Sequence, residues 1–162
     1  TGLLTRRSFM SQAEAELSRA ERYDRTLTMA LLDLDHFKAV NDTYGHQAGD
    51  KVLIAFARLL KDALRTTDII GRFGGEEFII VLPETSLQEA GHVIQRVLDS
   101  CRDNSVVHNG KEIRFTASAG LGEVLVDVQS SIHYVDEALY RAKNEGRDRL
   151  SLAAGERELL VE

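Results

Sequence analysis

The chain has 162 residues and a mass of 18.0 kDa, with 43% apolar and 28% charged residues. That is the size and balance of one compact soluble core and excludes multidomain and disordered readings. Lys and Arg total 20 against 26 Asp and Glu, a net charge of −6, so the overall field opposes nucleic acid polymers and anionic membranes, and an anionic ligand needs a strong local site. The single cysteine, Cys101, forms no internal disulfide and fits a reducing, cytoplasmic compartment.

No run approaches the roughly 20 apolar residues of a membrane span, and no signal peptide is evident. Because the chain opens on Thr1 and a helical pattern begins almost at once, an N-terminal sensory or regulatory segment is expected to precede it. From Thr5 to about Arg25, Phe9, Ala13, Leu17 and Ala20 recur at helical spacing. Leu27 to Asp33 then reads as a buried strand with Asp33 and Asp35 at its end. Residues 37–50, FKAVNDTYGHQAGD, are rich in turn formers and predict at most a short helical turn.

A second helix carries Val52, Leu53, Phe56, Leu59, Leu60 and Ala63 on its apolar face. DIIGRF and EFIIVL flank Gly74-Gly75, which predicts two strands joined by a two-residue glycine turn, with Pro83 ending the second. A third helix, from about Ser86 to Cys101, opens on a capping-box spacing, Ser86 to Glu89. Asn109-Gly110 marks a second hairpin, and FTASAGLGEV is expected to continue from it. A last helix from about Ser131 to Glu145 stops at Gly146, and RLSL reads as an edge strand. The order of elements favours an α+β domain over a parallel doubly wound one.

Chemistry concentrates in two acidic clusters, Asp33-Leu34-Asp35 and Glu76-Glu77, each where a strand gives way to a turn. Taken alone, each reads as solvated strand-end acids. Brought together at one sheet edge, they would repel unless a cation joined them, and Mg²⁺ accepts a few carboxylates with water and phosphate oxygens. Gly74-Gly75 would let a phosphate approach the backbone closely. EF-hand, Walker, dinucleotide, zinc and serine-nucleophile patterns are absent.

The segments RFGGEEF (residues 72–78) and DLDHFKAVNDTYGHQAGD (residues 33–50) resemble the GGDEF family of diguanylate cyclases. TGLLTRRSF, FTASAG and DEALYRAKNEGRDR (residues 136–149) match further family segments in order, so the resemblance covers about residues 1–150. It implies a ferredoxin-like, palm-type nucleotide-cyclase fold, a mostly antiparallel sheet surrounded by helices, over residues 1–152, with 153–162 as a tail. It also implies condensation of two GTP into cyclic di-GMP with loss of two pyrophosphates, across a homodimer.

The resemblance assigns Asp33 and Glu76 as catalytic metal carboxylates, with the Leu34 carbonyl and Glu77 as further ligands for two Mg²⁺, or Mn²⁺, per site. Asn41 and Asp50 match guanine readers, although Asn41 alone suits a turn and Asp50 a helix cap. Lys38, the Phe37 backbone, Gly74, Gly75, Lys143 and Arg147 match positions that hold the nucleotide. Lys143 and Arg147, four apart near a helix end, are expected to project the same way. Arg65 and Asp68 match an R-x-x-D product-inhibition site, with Arg96 as a secondary arginine. Val135-Asp136 stands where Ala-Asp is usual, and Gly146-Arg147-Asp148 where Gly-Arg-Asn is usual.

Overall fold

The computed structural model describes residues 2–153, so most of the expected tail lies outside the described residues. Helix α1 (Arg6–Tyr23) is capped by the Thr5 hydroxyl, which accepts from the Ser8 N–H, and leads into strand β1 (Leu27–Leu34). Helices α2 (Phe37–Tyr44) and α3 (His46–Ala63) follow, then the hairpin of β2 (Ile69–Arg72) and β3 (Glu77–Pro83). Helix α4 (Leu87–Asp103) has both bonds of its capping box in place. Strands β4 (Ser105–His108), β5 (Lys111–Arg114) and β6 (Ala117–Glu123) precede helix α5 (Val128–Asn144) and edge strand β7 (Leu150–Leu152).

The main sheet runs β2-β3-β1-β6-β7, antiparallel except for the β6–β7 pair. Its first four strands, with α2–α3 and α4 as crossovers, make a βαββαβ ferredoxin-like unit, as the resemblance implies. Pleating sends alternate residues to opposite faces. Ala30, Leu32 and Leu34 of β1 join the core beneath α3 and α4, while Leu27, Met29 and Leu31 join the core beneath α1 and α5. The same alternation in β3 separates Phe78, Ile80 and Leu82 from Ile79 and Val81. Phe56 of α3 meets Phe78 edge to face with ring centroids 5.0 Å apart.

Four expectations need correction. Residues 37–50 form one complete helix and the start of another, because Phe37, Val40 and Tyr44 recur at helical spacing and pack on the core, outweighing the weak propensities of Asn41, Asp42 and Thr43. The Gly74-Gly75 connection is not a two-residue primed turn. Phe73 N–H still pairs with the Glu77 carbonyl at 2.7 Å, three residues span the tip, and neither glycine has positive φ. Strand β6 does not continue the Asn109-Gly110 hairpin, which closes as a separate two-stranded sheet with Asn109 at φ 51° and Gly110 at φ 78°. Helix α5 begins three residues earlier than expected, at Val128, because Asp127 caps it by accepting the Ser130 N–H at 2.6 Å.

Helix α5 lies unusually close to β6. A Cβ on Gly120 would overlap the Val135 carbonyl oxygen and come within 2.6 Å of the Leu139 nitrogen. Both are backbone atoms that cannot swing aside. Gly120→Ala is therefore expected to destabilise the domain by about 3 kcal/mol, the upper part of the usual overpacking range, whereas Gly75→Ala, with open space around it, should change little. Urea unfolding of both variants checks this; equal stabilities would contradict the close approach.

Candidate active site

Pleating and register bring the acids together. Asp33 of β1 is paired directly with Glu77 of β3. Both continue the alternation that faces α5, whereas Glu76 lies just outside the strand, its carbonyl accepting the Leu34 N–H at 3.3 Å. Burial, above all, pushes the Asp33, Glu76 and Glu77 carboxyls above their ordinary values, and mutual repulsion adds to it. Asp136 of α5 joins the group, raising Asp33 and Glu77 further by its charge. An open groove lined by Asp33, Glu77, Asp136, Tyr140 and Lys143 runs past them.

One cation sits among these acids. Lys143 Nζ donates to Asp33 Oδ1 at 3.3 Å and to Asp35 Oδ1 at 3.2 Å, with its side chain only 23% exposed. Burial works against an ionised Asp35, but hydrogen bonds from Ser118, Thr116 and the Asp148 N–H, with the charge of Lys143, hold its carboxyl below the ordinary value. Ser118 is thus an anchor for Asp35, bonded at 2.7 Å. Among the described residues, no three His, Cys, Asp or Glu side chains already converge as a metal cage. The oxygen donors nonetheless suit a hard cation that takes few carboxylates and completes its shell from water and phosphate.

Helix α2 begins beside this cluster. Its N-cap, His36, sits in the left-handed region at φ 54° and supplies no side-chain cap. The N–H groups at Phe37 and Lys38 therefore open the helix without side-chain acceptors, the arrangement that receives anions, and Lys38 is exposed next to them. Further along, Asn41 packs against Gly49. Its Oδ1 is buried with no hydrogen-bond partner, and a Cβ on Gly49 would overlap it. Asp50 follows on α3, exposed and well inside the helix, so it caps nothing, and Asn41 lies within α2 rather than in a turn. A buried acceptor without a partner is costly to leave unpaired, and Asn41 Oδ1 lies against the residue preceding Asp50.

At the hairpin tip, Arg72 Nε and Nη2 both donate to the Gly75 carbonyl, at 3.2 and 2.5 Å. A Cβ on Gly74 would come within 2.8 Å of Glu77 Oε1, whereas Gly75 faces open space. Arg147 is not aligned with Lys143 by helical geometry, since α5 ends at Asn144. It lies instead in a turn where Gly146, Arg147 and Asp148 have φ of 124°, 64° and 49°, two of them left-handed non-glycines at about 1–2 kcal/mol each. The Asp148 carboxylate is held by Arg102 Nε at 2.8 Å, and Arg147 is exposed.

The R-x-x-D residues form a separate surface. Asp68, with a side chain 2% exposed, pairs with Arg65 at 3.4 Å and accepts the Arg65 N–H at 2.8 Å. Arg65 Nη2 also donates to the Pro83 carbonyl and to Thr85 Oγ1, while the side chain as a whole stays more than half exposed. Arg96 is exposed on α4, and none of these contacts joins it to Arg65.

Two participants were not singled out from the sequence. Asp136 opens the family-like segment of residues 136–149 and lies seven residues before Lys143 on α5, but nothing local gives it a role at the acidic cluster. Arg6 places its guanidinium 3.9 Å over the Phe73 ring and draws Glu77 back toward its ionised form by charge. Beside it, Leu4 bridges Gly71 on the sheet edge, so residues 4–6 are tied to the root of the Gly74-Gly75 turn.

A βαββαβ core with paired carboxylates at the end of its two central strands defines a palm-type nucleotide-cyclase architecture. Comparison narrows the class. The family model described as "Diguanylate cyclase, GGDEF domain" matches residues 1–149, and the chain belongs to the GGDEF family. It is 41% identical to the diguanylate cyclase DgcP of Pseudomonas aeruginosa over 94% of this chain, and 40% identical to diguanylate cyclase A of Treponema denticola over 79%. It spans only 23% and 35% of those two proteins. The GGDEF domain of DgcB from Caulobacter crescentus, solved with c-di-GMP, superposes with a TM-score of 0.92 at 28% identity, covering 95% of this chain and 90% of that one. SiaD of Pseudomonas aeruginosa, a diguanylate cyclase solved with its activator SiaC, gives 0.90 at 42% identity, over 94% and 60%.

Gly49→Ala is expected to displace the Asn41 side chain and weaken guanine nucleotide binding about tenfold, or about 1.4 kcal/mol. Global stability should shift by no more than about 1 kcal/mol, because alanine also favours the helix. Nucleotide titration and urea unfolding check the pair of effects; unchanged affinity would show that Asn41 is no part of the subsite.

Proposed function

We propose that this domain is the catalytic part of a diguanylate cyclase, condensing two GTP into cyclic di-GMP with release of two pyrophosphates. Each domain holds one GTP, and two copies face each other so that the 3′-hydroxyl of one nucleotide meets the α-phosphate of the other. The observation that carries this reading is the Asp33–Glu77 cross-strand pair, with Glu76 beside it, at the mouth of a groove whose other wall bears Lys143.

Asp33, Glu76 and the Leu34 carbonyl would hold divalent cations, with Glu77 as an additional ligand; Mg²⁺, or Mn²⁺ in its place, fits these oxygens, two per site. When bound, such ions polarise the α-phosphate and make the attacking hydroxyl more acidic. Glu76 would also help accept that proton, a role that activation by two cations makes less demanding. Lys38, Lys143, Arg147 and the open N–H groups of α2 would hold the triphosphate, and Gly74-Gly75 keeps side-chain bulk away from it. Asp50 would accept from guanine N1–H and N2–H, and the orphaned Asn41 Oδ1 from the exocyclic amine. Adenine presents neither donor pattern, so the subsite selects GTP.

Product would bind at Arg65 and Asp68, with Arg96 on the neighbouring helix, because an exposed guanidinium can grip a phosphate or a guanine edge in bidentate fashion. A preceding regulatory segment in the whole protein would control how two domains meet, and the catalytic domain would work in the cytoplasm. Among the described residues no helix is long and apolar enough to cross a membrane.

Incubating a forced dimer of the domain with GTP and Mg²⁺ should yield cyclic di-GMP. Glu76→Ala should lower turnover at least a hundredfold, about 2.7 kcal/mol in the barrier, with the fold intact by circular dichroism. Absence of any cyclic dinucleotide from the forced dimer would instead favour a GTP-binding or cyclic di-GMP-binding regulatory module. Arg65→Ala should raise the product concentration needed for half-inhibition about tenfold without changing the initial rate; identical inhibition curves would remove that residue from the product site.

A further inference from the structure

Asp35, the second acid of Asp33-Leu34-Asp35, receives no ligand in the reading above. Its side chain is wholly buried. Oδ1 accepts from Ser118 Oγ at 2.7 Å and Lys143 Nζ at 3.2 Å, and Oδ2 accepts from Thr116 Oγ1 at 2.7 Å and the Asp148 N–H at 3.0 Å. A carboxylate has about four acceptor sites, so these donors fill them and leave no room for a metal or a substrate.

The donors come from different parts of the chain, and two of them govern cations at the site. Lys143 is gripped directly. Arg147 is gripped through its neighbour: Gly146, Arg147 and Asp148 form a left-handed turn that would not persist unaided. The Asp148 N–H on Asp35, the Arg147 N–H on the Ala142 carbonyl at 3.0 Å and the Asp148 carboxylate on Arg102 hold it shut.

We propose that Asp35 is a positioning residue for the triphosphate: one buried, saturated carboxylate fixes both Lys143 and the Arg147 turn in place before the nucleotide arrives. It touches no substrate and acts through those two cations. The inference rests on the reading of Lys143 and Arg147 as phosphate ligands, and its consequence is preorganisation, since cations already aimed lose less freedom on binding.

The test is a comparison of two probes, GTPαS with Mg²⁺ and guanosine, which lacks phosphates, titrated onto the folded domain. Asp35→Asn should weaken GTPαS binding ten- to a hundredfold and leave guanosine binding unchanged. Combined with Lys143→Met it should lose less than the product of the two single losses. Wild-type GTPαS affinity in Asp35→Asn, equal losses for both probes, or fully multiplicative losses would overturn the positioning role. Should Asp35→Asn fail to fold, Ser118→Ala and Thr116→Val each remove one donor and spare the charge. Each should weaken GTPαS severalfold and guanosine not at all, and wild-type affinities in both would equally overturn the proposal. If Lys143→Met and Arg147→Ala themselves bind GTPαS as wild type does, the phosphate assignment falls and the proposal with it, a result distinct from failure of Asp35 alone.

Discussion

One ammonium group, Lys143 Nζ, bonds Asp33 and Asp35 together where five carboxylates gather between one end of the sheet and α5. Two like charges about 4 Å apart repel by about 4 kcal/mol at the effective dielectric of a protein surface. Among the described residues, Lys143 offsets that repulsion at Asp33 and Glu76, and Arg6 together with Lys143 at Glu77, yet burial with residual repulsion keeps all three carboxyls above their ordinary pKa. The lysine arrives on α5, and α5 lies close enough only because residue 120 has no side chain. A missing methyl group in β6 is thus connected, through helix packing, to the electrostatics of the site.

Around the acidic end lies a rim of opposite character. The uncapped start of α2, Lys38 and the strained turn bearing Arg147 all offer positive potential, while the acids offer hard oxygens. A ligand that brings both phosphates and divalent cations satisfies both sides, so a domain with net charge −6 can still receive an anion. Residues 4–6, stitched to β2 and stacked on Phe73, reach the root of the same hairpin from the start of the chain. The acidic site is therefore in mechanical contact with the N-terminal segment.

Much of this was legible locally. The capping box of α4, the Asn109-Gly110 turn and the apolar runs of β1 and β3 are short-range signals, and the acidic clusters at Asp33-Leu34-Asp35 and Glu76-Glu77 stand out at the strand ends. Residues 37–50 misled because their polar turn formers hide Phe37, Val40 and Tyr44, whose burial only the tertiary fold reveals. The glycine pair suggested a primed turn, but Arg72, reaching back to the Gly75 carbonyl, supports a longer one. That Glu77 is the direct cross-strand partner of Asp33 depends on the register of β3 against β1, two strands far apart in the chain, which no local turn signal encodes. Asp35 and Asp136 are visible in sequence as members of acidic or family-like segments, but what they and Arg6 do depends on contacts between segments distant in the chain, which periodicity does not encode.

Held by Asp35, Lys143 would serve the site from there and yield its place beside Asp33 to a divalent cation. A crystal structure of the domain with GTPαS and Mg²⁺ tests this most directly. Lys143 Nζ is expected still to be hydrogen-bonded to Asp35 and now to touch a phosphate oxygen, with Asp33 turned to the metal. Lys143 found away from Asp35, or still paired with Asp33 while the metal sits elsewhere, would contradict it.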